Sequence, residues 1–159
     1  MRRAIGLSAA VLVGGVGLAG SGSAIEIRFP GSDCVARDSA EMNKVRYEQK
    51  LGVRNVSTTA SAAVACGAVV QSAATISLVT FTAYDRSTTA DVCCVINVQN
   101  SNGTAAATST KCTSGFATLE QTPSFSLPSA TQAFIASLEC TIPPTNANGD
   151  SIISSVRVQ

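Results

Sequence analysis

The sequence predicts an all-β fold: an antiparallel jelly-roll-like or immunoglobulin-like β-sandwich, single-domain and disulfide-stapled. Three observations carry this. From residue 55 onward Ser, Thr, Ala and Val fill short alternating runs, with turn residues recurring about every 8–12 positions. The chain carries six cysteines, an even number, and no histidine. The dipeptide Asn102-Gly103 lies between two alternating segments, where a tight hairpin turn needs positive φ.

The N-terminus sets the compartment. Arg2 and Arg3 precede an apolar run from Ala4 to Gly20, and small residues follow up to Ala24. That order is a secretory signal peptide over residues 1–24, cleaved after Ala24, leaving residues 25–159 as the secreted domain, periplasmic or extracellular. The run is rich in Gly and Ala and lacks an aromatic or basic flank on its far side, so a retained membrane anchor is disfavoured. No membrane span is expected after cleavage. Without Arg2 and Arg3, nine basic residues face ten acidic ones, a net charge of −1. Such a balance offers no footprint for nucleic acid or an anionic membrane. Eleven of the remaining charges precede residue 55 with alternating signs, which suits a solvated face.

In an exported chain, six cysteines read as three disulfides. A metal site is disfavoured by the absence of histidine and of paired Cys-x-x-Cys units, and no cofactor is expected.

Elements follow in chain order. Asp38 and Glu41 have the spacing of a helix capping box, with Gly52 as a stop. Yet Val45, Tyr47, Leu51 and Val53 alternate with Arg46, Glu48, Lys50 and Arg54, which favours a strand after about residue 44. Ala62, Val64 and Cys66 share one strand face. Val79, Phe81 and Ala83 alternate with Thr80, Thr82 and Tyr84. Val92, Cys94, Ile96 and Val98 form an apolar face, and Cys93, Asn97 and Gln99 a polar one. A two-residue turn at Asn102-Gly103 would set Ser101 opposite Thr104, Val98 opposite Ala107, Ile96 opposite Ser109 and Cys93 opposite Cys112. Opposed strand residues lie within disulfide range, so Cys93 and Cys112 are expected to bond on the outer face. Cys94 then points inward, beside Cys66 and Cys140. Phe134, Ala136, Leu138, Cys140 and Ile142 line one face of the next strand, and Ile152, Val156 and Val158 oppose Arg157 in the last.

Taken together, Cys34, "RNVS" at 54–57, "VAC" at 64–66, "YDRS" at 84–87, "VCC" at 92–94, "LECTIPP" at 138–144 and "SSVRV" at 154–158 form an ordered set of landmarks. In this the chain resembles a group of small exported bacterial β-sandwich proteins of unknown function, found in myxobacteria and other proteobacteria. The resemblance implies a jelly-roll-like sandwich with disulfides among Cys34, Cys66, Cys94 and Cys140, and it transfers no catalytic residue. Inward strand faces and the group's pattern together point to Cys66–Cys140 and Cys34–Cys94. Cys93 and Cys112 depart from that pattern as an added, independent bridge.

Chemistry is sparse. The absence of histidine excludes Ser-His-Asp and Cys-His catalysis, and no lysine stands in a Ser-x-x-Lys motif. Asp85 and Asp91 flank one loop and are the best carboxylate pair for hydrolysis, although a loop-capping Asp85 beside a solvated Arg86 explains "YDRS" as well. Tyr84, Asp85, Arg86 and Asp91 are therefore the surface-site candidates. Asn146, Asn148 and Asp150 resemble a calcium loop only faintly and suit a surface turn. Tyr47 and Tyr84 are the two tyrosines available as sugar platforms. Glycosylation sequons fall at Asn55 and Asn102. The expected function is a small secreted, non-enzymatic module for binding, adhesion or surface structure. Its partner would be an extracellular or periplasmic glycan or protein. A secreted hydrolase using Asp85 and Asp91, or a protease-inhibitor-like defence protein, is the alternative.

Overall fold

The computed structural model describes residues 26–69, 76–100, 102–127 and 135–159. The signal peptide expected over residues 1–24, the expected partner Ser101 and the inward Phe134 lie outside them. The strands are β1 (Ile27–Pro30), β2 (Val35–Ala36), β3 (Val45–Glu48), β4 (Gly52–Asn55), β5 (Ala62–Val69), β6 (Leu78–Tyr84), β7 (Cys93–Gln99), β8 (Ala105–Cys112), β9 (Ser124–Ser126), β10 (Ile135–Ile142) and β11 (Ile152–Val158). A single 3-10 turn, Gly31–Asp33, follows β1, and no α-helix occurs among the described residues. None of their helical segments is long and apolar enough to cross a membrane.

Two antiparallel sheets face each other. One runs β3-β4-β11-β6-β9, with β1 also on β11; the other runs β2-β5-β10-β7-β8. From β4 onward the pairing is nested: β4 with β11, β5 with β10, β6 with β9 and β7 with β8. Alternate nested pairs fall into alternate sheets, which is the jelly-roll arrangement rather than the immunoglobulin one. The core lies between the sheets. Val64, Phe81, Ile96, Val98, Phe125, Ile142 and Ile153 are buried there, with the Phe81 and Phe125 rings 6.2 Å apart in a tilted pair.

Most expected faces hold. Ala62, Val64, Cys66, Val79, Phe81, Ala83, Val92, Cys94, Ile96, Val98, Ala136, Leu138, Cys140 and Ile142 all point inward. In β11 the inward residue is Ile153, not Ile152, because a bulge between Ile153 and Ser155 resets the alternation before Val156 and Val158. Residues 39–44 form turns instead of a helix: Asp38 Oδ1 accepts from the Ala40 and Glu41 amides, and the chain then enters β3. Val45–Val53 is not one strand, since it reverses through the Glu48–Leu51 turn (Leu51 N to Glu48 O, 3.1 Å) and leaves Tyr47 and Leu51 exposed.

The disulfides are Cys34–Cys66, Cys93–Cys112 and Cys94–Cys140. The outer bridge is the expected one, but the two inner pairings differ from expectation. β10 lies between β5 and β7, where Cys140 faces Cys94 on one side and Val64 on the other, while Cys66 faces Leu138. Cys66 is thus two residues out of register with Cys140. β2 pairs Val35 with Ala65, and that register brings the preceding Cys34 to Cys66.

Candidate functional site

The "YDRS" residues gather at one end of the sandwich. Asp85 is fully buried, so it is not a surface residue. Its Oδ1 accepts from the Ser87 amide at 3.0 Å and the Ser151 hydroxyl at 3.2 Å. Its Oδ2 accepts from the Val92 amide at 3.1 Å and from the Thr113 hydroxyl. Four donors occupy the lone-pair positions a carboxylate has. The Asp85 carbonyl also receives the Ala117 amide at 2.8 Å. Asp85 therefore ties three loops together and has no free acceptor for a reacting group. Asp91 stands on the exposed rim, where Oδ1 accepts from the Gly115 amide at 2.9 Å. The arrangement braces loops and does not form an acid–base couple.

Tyr84 and Arg86 flank this hub, with the Arg86 guanidinium 5.9 Å from the Tyr84 ring centre. Desolvation and the nearby Glu120 carboxylate raise the Tyr84 hydroxyl above its usual range. The "NANGD" segment is occupied internally. Asp150 binds Arg54 at 2.7 Å and Thr145 at 2.8 Å, and Asn146 accepts from the Asn148 amide at 2.8 Å. Asn55 is buried, its amide nitrogen donating to Ala60, Ile142 and Pro143 carbonyls, whereas Asn102 is exposed. Tyr47 is half exposed on β3, its hydroxyl accepting from the Ala36 amide at 2.7 Å. It sits at the far edge of its sheet from β9.

A second locus was not singled out by the sequence. On the outer face of β1, β11, β6 and β9, register places Arg28 opposite Arg157, Arg157 opposite Thr80, and Thr80 opposite Ser124. Beside this row, Ser155 faces Thr82, and Thr122 adjoins it. Together these side chains line a groove of about 250 Å³. All of them are guanidinium or hydroxyl bearers, and no carboxylate is among them.

The electrostatics are uneven. Arg28 pairs with Glu26, which also accepts from Gln159 Nε2 at 3.0 Å. The Arg28 hydrogen bond is the main cause that holds the Glu26 carboxyl below its usual range, with Gln159 and the Arg157 charge assisting. Among the described residues no ion pair involves Arg157. Thr80 and Ser124 hydroxyls meet at 3.0 Å and Ser124 Oγ donates to the Thr122 carbonyl at 3.3 Å, which leaves acceptor lone pairs of the two hydroxyls toward the groove. The alternation of β6 and β11 put Thr80, Thr82 and Arg157 outward; only long-range pairing brings them beside Arg28 and Ser124.

No family model and no curated relative matches the chain. Solved structures that align with the chain include three at low identity. One is the enzymatically active domain of bacteriophage CBA120 tailspike protein 4, at 11% identity and TM-score 0.43, covering 67% of this chain. The chain spans only 14% of that tailspike chain. Another is the CBM36-1 domain of a multidomain xylanase from the hindgut metagenome of Trinervitermes trinervoides, at 9% identity and TM-score 0.49, covering 85% of this chain and 97% of that one. The third is TmCBM61, solved with β-1,4-galactotriose, at 11% identity and TM-score 0.46, covering 84% and 87%.

Proposed function

We propose that this is an exported, non-enzymatic binding module that lays a hydroxyl-rich chain, a glycan, across the outer face of β1, β11, β6 and β9. The observation that carries the reading is the groove in which Thr80, Thr82, Ser124 and Ser155 stand beside two arginines. Hydroxyls both donate and accept, and guanidinium donates in a fixed fork, so the lining complements a ligand that itself carries many hydroxyls. Adjacent strands lie about 4.8 Å apart. The hydroxyl rows thus present a repeat close to the length of one sugar ring. The Asp85 hub supports a binding rather than a hydrolytic role, because the one buried carboxylate of the loop end is fully occupied. Export and three bridges suit a module that works outside the cell.

The test is affinity electrophoresis of the purified chain through gels containing individual polysaccharides. Thr82→Tyr, which fills the groove, serves as the blocked form. Retardation of the wild type by at least one polysaccharide, lost in Thr82→Tyr at an unchanged melting temperature, is expected. A wild type that no polysaccharide retards would overturn the reading.

A further inference from the structure

Arg28 and Arg157 face each other directly across the β1–β11 pair. Like charges so placed repel, and sequences usually avoid the arrangement. Among the described residues one carboxylate, Glu26, reaches this pair, and it bonds to Arg28. Two guanidinium charges therefore share one counter-charge, with Arg157 half-buried at the groove wall. We infer that the Arg28–Arg157 pair is a seat for an anionic substituent of the ligand, so that the glycan taken by the groove is an acidic one bearing carboxylate or sulfate groups.

The inference rests on the glycan-binding reading and narrows it. A planar carboxylate, or a sulfate with three outward oxygens, can accept paired N–H bonds from a guanidinium fork. Placed between Arg28 and Arg157, it would supply the missing second counter-charge. Its neighbouring ring hydroxyls would then fall on Thr80, Ser124 and Ser155. Bulk charge cannot produce the same preference, because the full chain carries a net charge of only +1. The attraction is local to these two side chains.

Isothermal titration with polygalacturonate, with the same polymer fully methyl-esterified, and with dextran sulfate tests this, in about 0.15 M salt so that diffuse attraction is screened. The free-acid polymer should bind at least about tenfold more tightly than the ester, equivalent to about 1.4 kcal/mol. Arg157→Gln should abolish that difference, while Lys111→Gln, an exposed charge on β8, should leave it intact. Tighter binding of either anionic polymer than of the ester supports the seat, and the ratio of their affinities assigns the preferred group. Binding of both anionic polymers no tighter than that of the ester overturns the acidic preference and leaves glycan binding standing. A preference that Lys111→Gln weakens as much as Arg157→Gln overturns the seat as well. Binding to none of the three, nor to any neutral polysaccharide, removes both readings.

Discussion

A Cβ built on Gly52 would stand 2.0 Å from the carbonyl oxygen of Ile153, and one on Gly31 would stand 1.9 Å from the same oxygen. β1 and β4 both lie along one side of β11, and the bulge between Ile153 and Ser155 falls where they meet. The backbone there is packed too closely for any side chain. Gly52 also has φ of +107°, which disfavours other residues. Gly31→Ala and Gly52→Ala should each cost about 3 kcal/mol or more, at the upper end of overpacking effects. Gly103→Ala meets nothing within 4 Å and carries only the positive-φ penalty, roughly 1–2 kcal/mol. Urea unfolding of the three variants gives the ranking; a Gly103→Ala variant as unstable as Gly31→Ala would contradict it.

The bridges should contribute unequally. Cys93–Cys112 closes a 19-residue separation already held by the β7–β8 hairpin, with Cys112 exposed. Cys94–Cys140 closes 46 residues and lies wholly in the core. Chain entropy gives upper limits of about 3 and about 4 kcal/mol respectively. Two buried Ser hydroxyls in place of Cys94 and Cys140 add about 1–3 kcal/mol each where they find no partner. Thermal melts should therefore show Cys94→Ser/Cys140→Ser far less stable than Cys93→Ser/Cys112→Ser. The reverse order would mean that the core tolerates loss of its bridge.

Asp85→Asn tests the loop hub. An amide can accept at one atom only, so two of the four donors lose their acceptor at a buried position. Each stranded donor costs about 1–3 kcal/mol. Denaturant unfolding should register a loss of several kcal/mol, while polysaccharide binding by the fraction that remains folded should be unchanged. Altered binding at unchanged stability would assign Asp85 a direct role.

Glu41 supplies a pH dependence. Its Oε2 accepts from the Ala63 amide at 2.9 Å, and its Oε1 meets Lys44 Nζ at 3.0 Å. These contacts, the backbone one foremost, hold its carboxyl below the ordinary value of 4.5. A depressed folded-state value stabilises the fold fully above pH 4.5, and the contribution fades as pH falls through the lowered value. The wild type should therefore exceed Glu41→Gln in melting temperature at neutral pH, the gap closing in acid below that point. A gap that stays constant down to strongly acidic pH would exclude this linkage.

What could be read from the sequence follows the range of each signal. Period-two alternation is local, and it correctly faced Val64, Phe81, Cys94 and Leu138 inward. The hairpin shows how two local errors cancel. The turn bond runs from the Gly103 amide to the Asn100 carbonyl at 2.9 Å, and Asn100 rather than Ser101 pairs with Thr104. The loop is thus one residue longer than an Asn-Gly two-residue turn. Ala106 then forms a bulge as the register shifts past Val98, restoring Val98 opposite Ala107 and Cys93 opposite Cys112. The inner disulfides needed the order of β5, β10 and β7 across their sheet, which no local pattern encodes. The same holds for the groove: Arg28 and Arg157 are 129 positions apart, and Arg28 reads in isolation as one more charge on a solvated stretch. Asp38 and Glu41 read as a helix capping box, and the turns that replace the helix were not legible because Glu41 is drawn to Ala63 on β5.

A surface residue placed for packing or pairing lowers stability when truncated, whereas one kept against local repulsion does not. Arg157 faces Arg28 across the strands, and among the described residues it has no carboxylate partner. Arg157→Gln keeps the outward polarity and removes the repulsion, so its unfolding free energy should lie within about 0.5 kcal/mol of the wild type. Glu26→Gln removes the counter-charge that the described residues place near the pair and should be the more destabilising of the two at low salt. High salt should shrink that difference, since exposed charges are screened. Paired urea titrations at low and high ionic strength measure both effects. If Arg157→Gln proves clearly destabilising, its guanidinium has a structural partner, and the case that it waits for an anionic ligand fails with it.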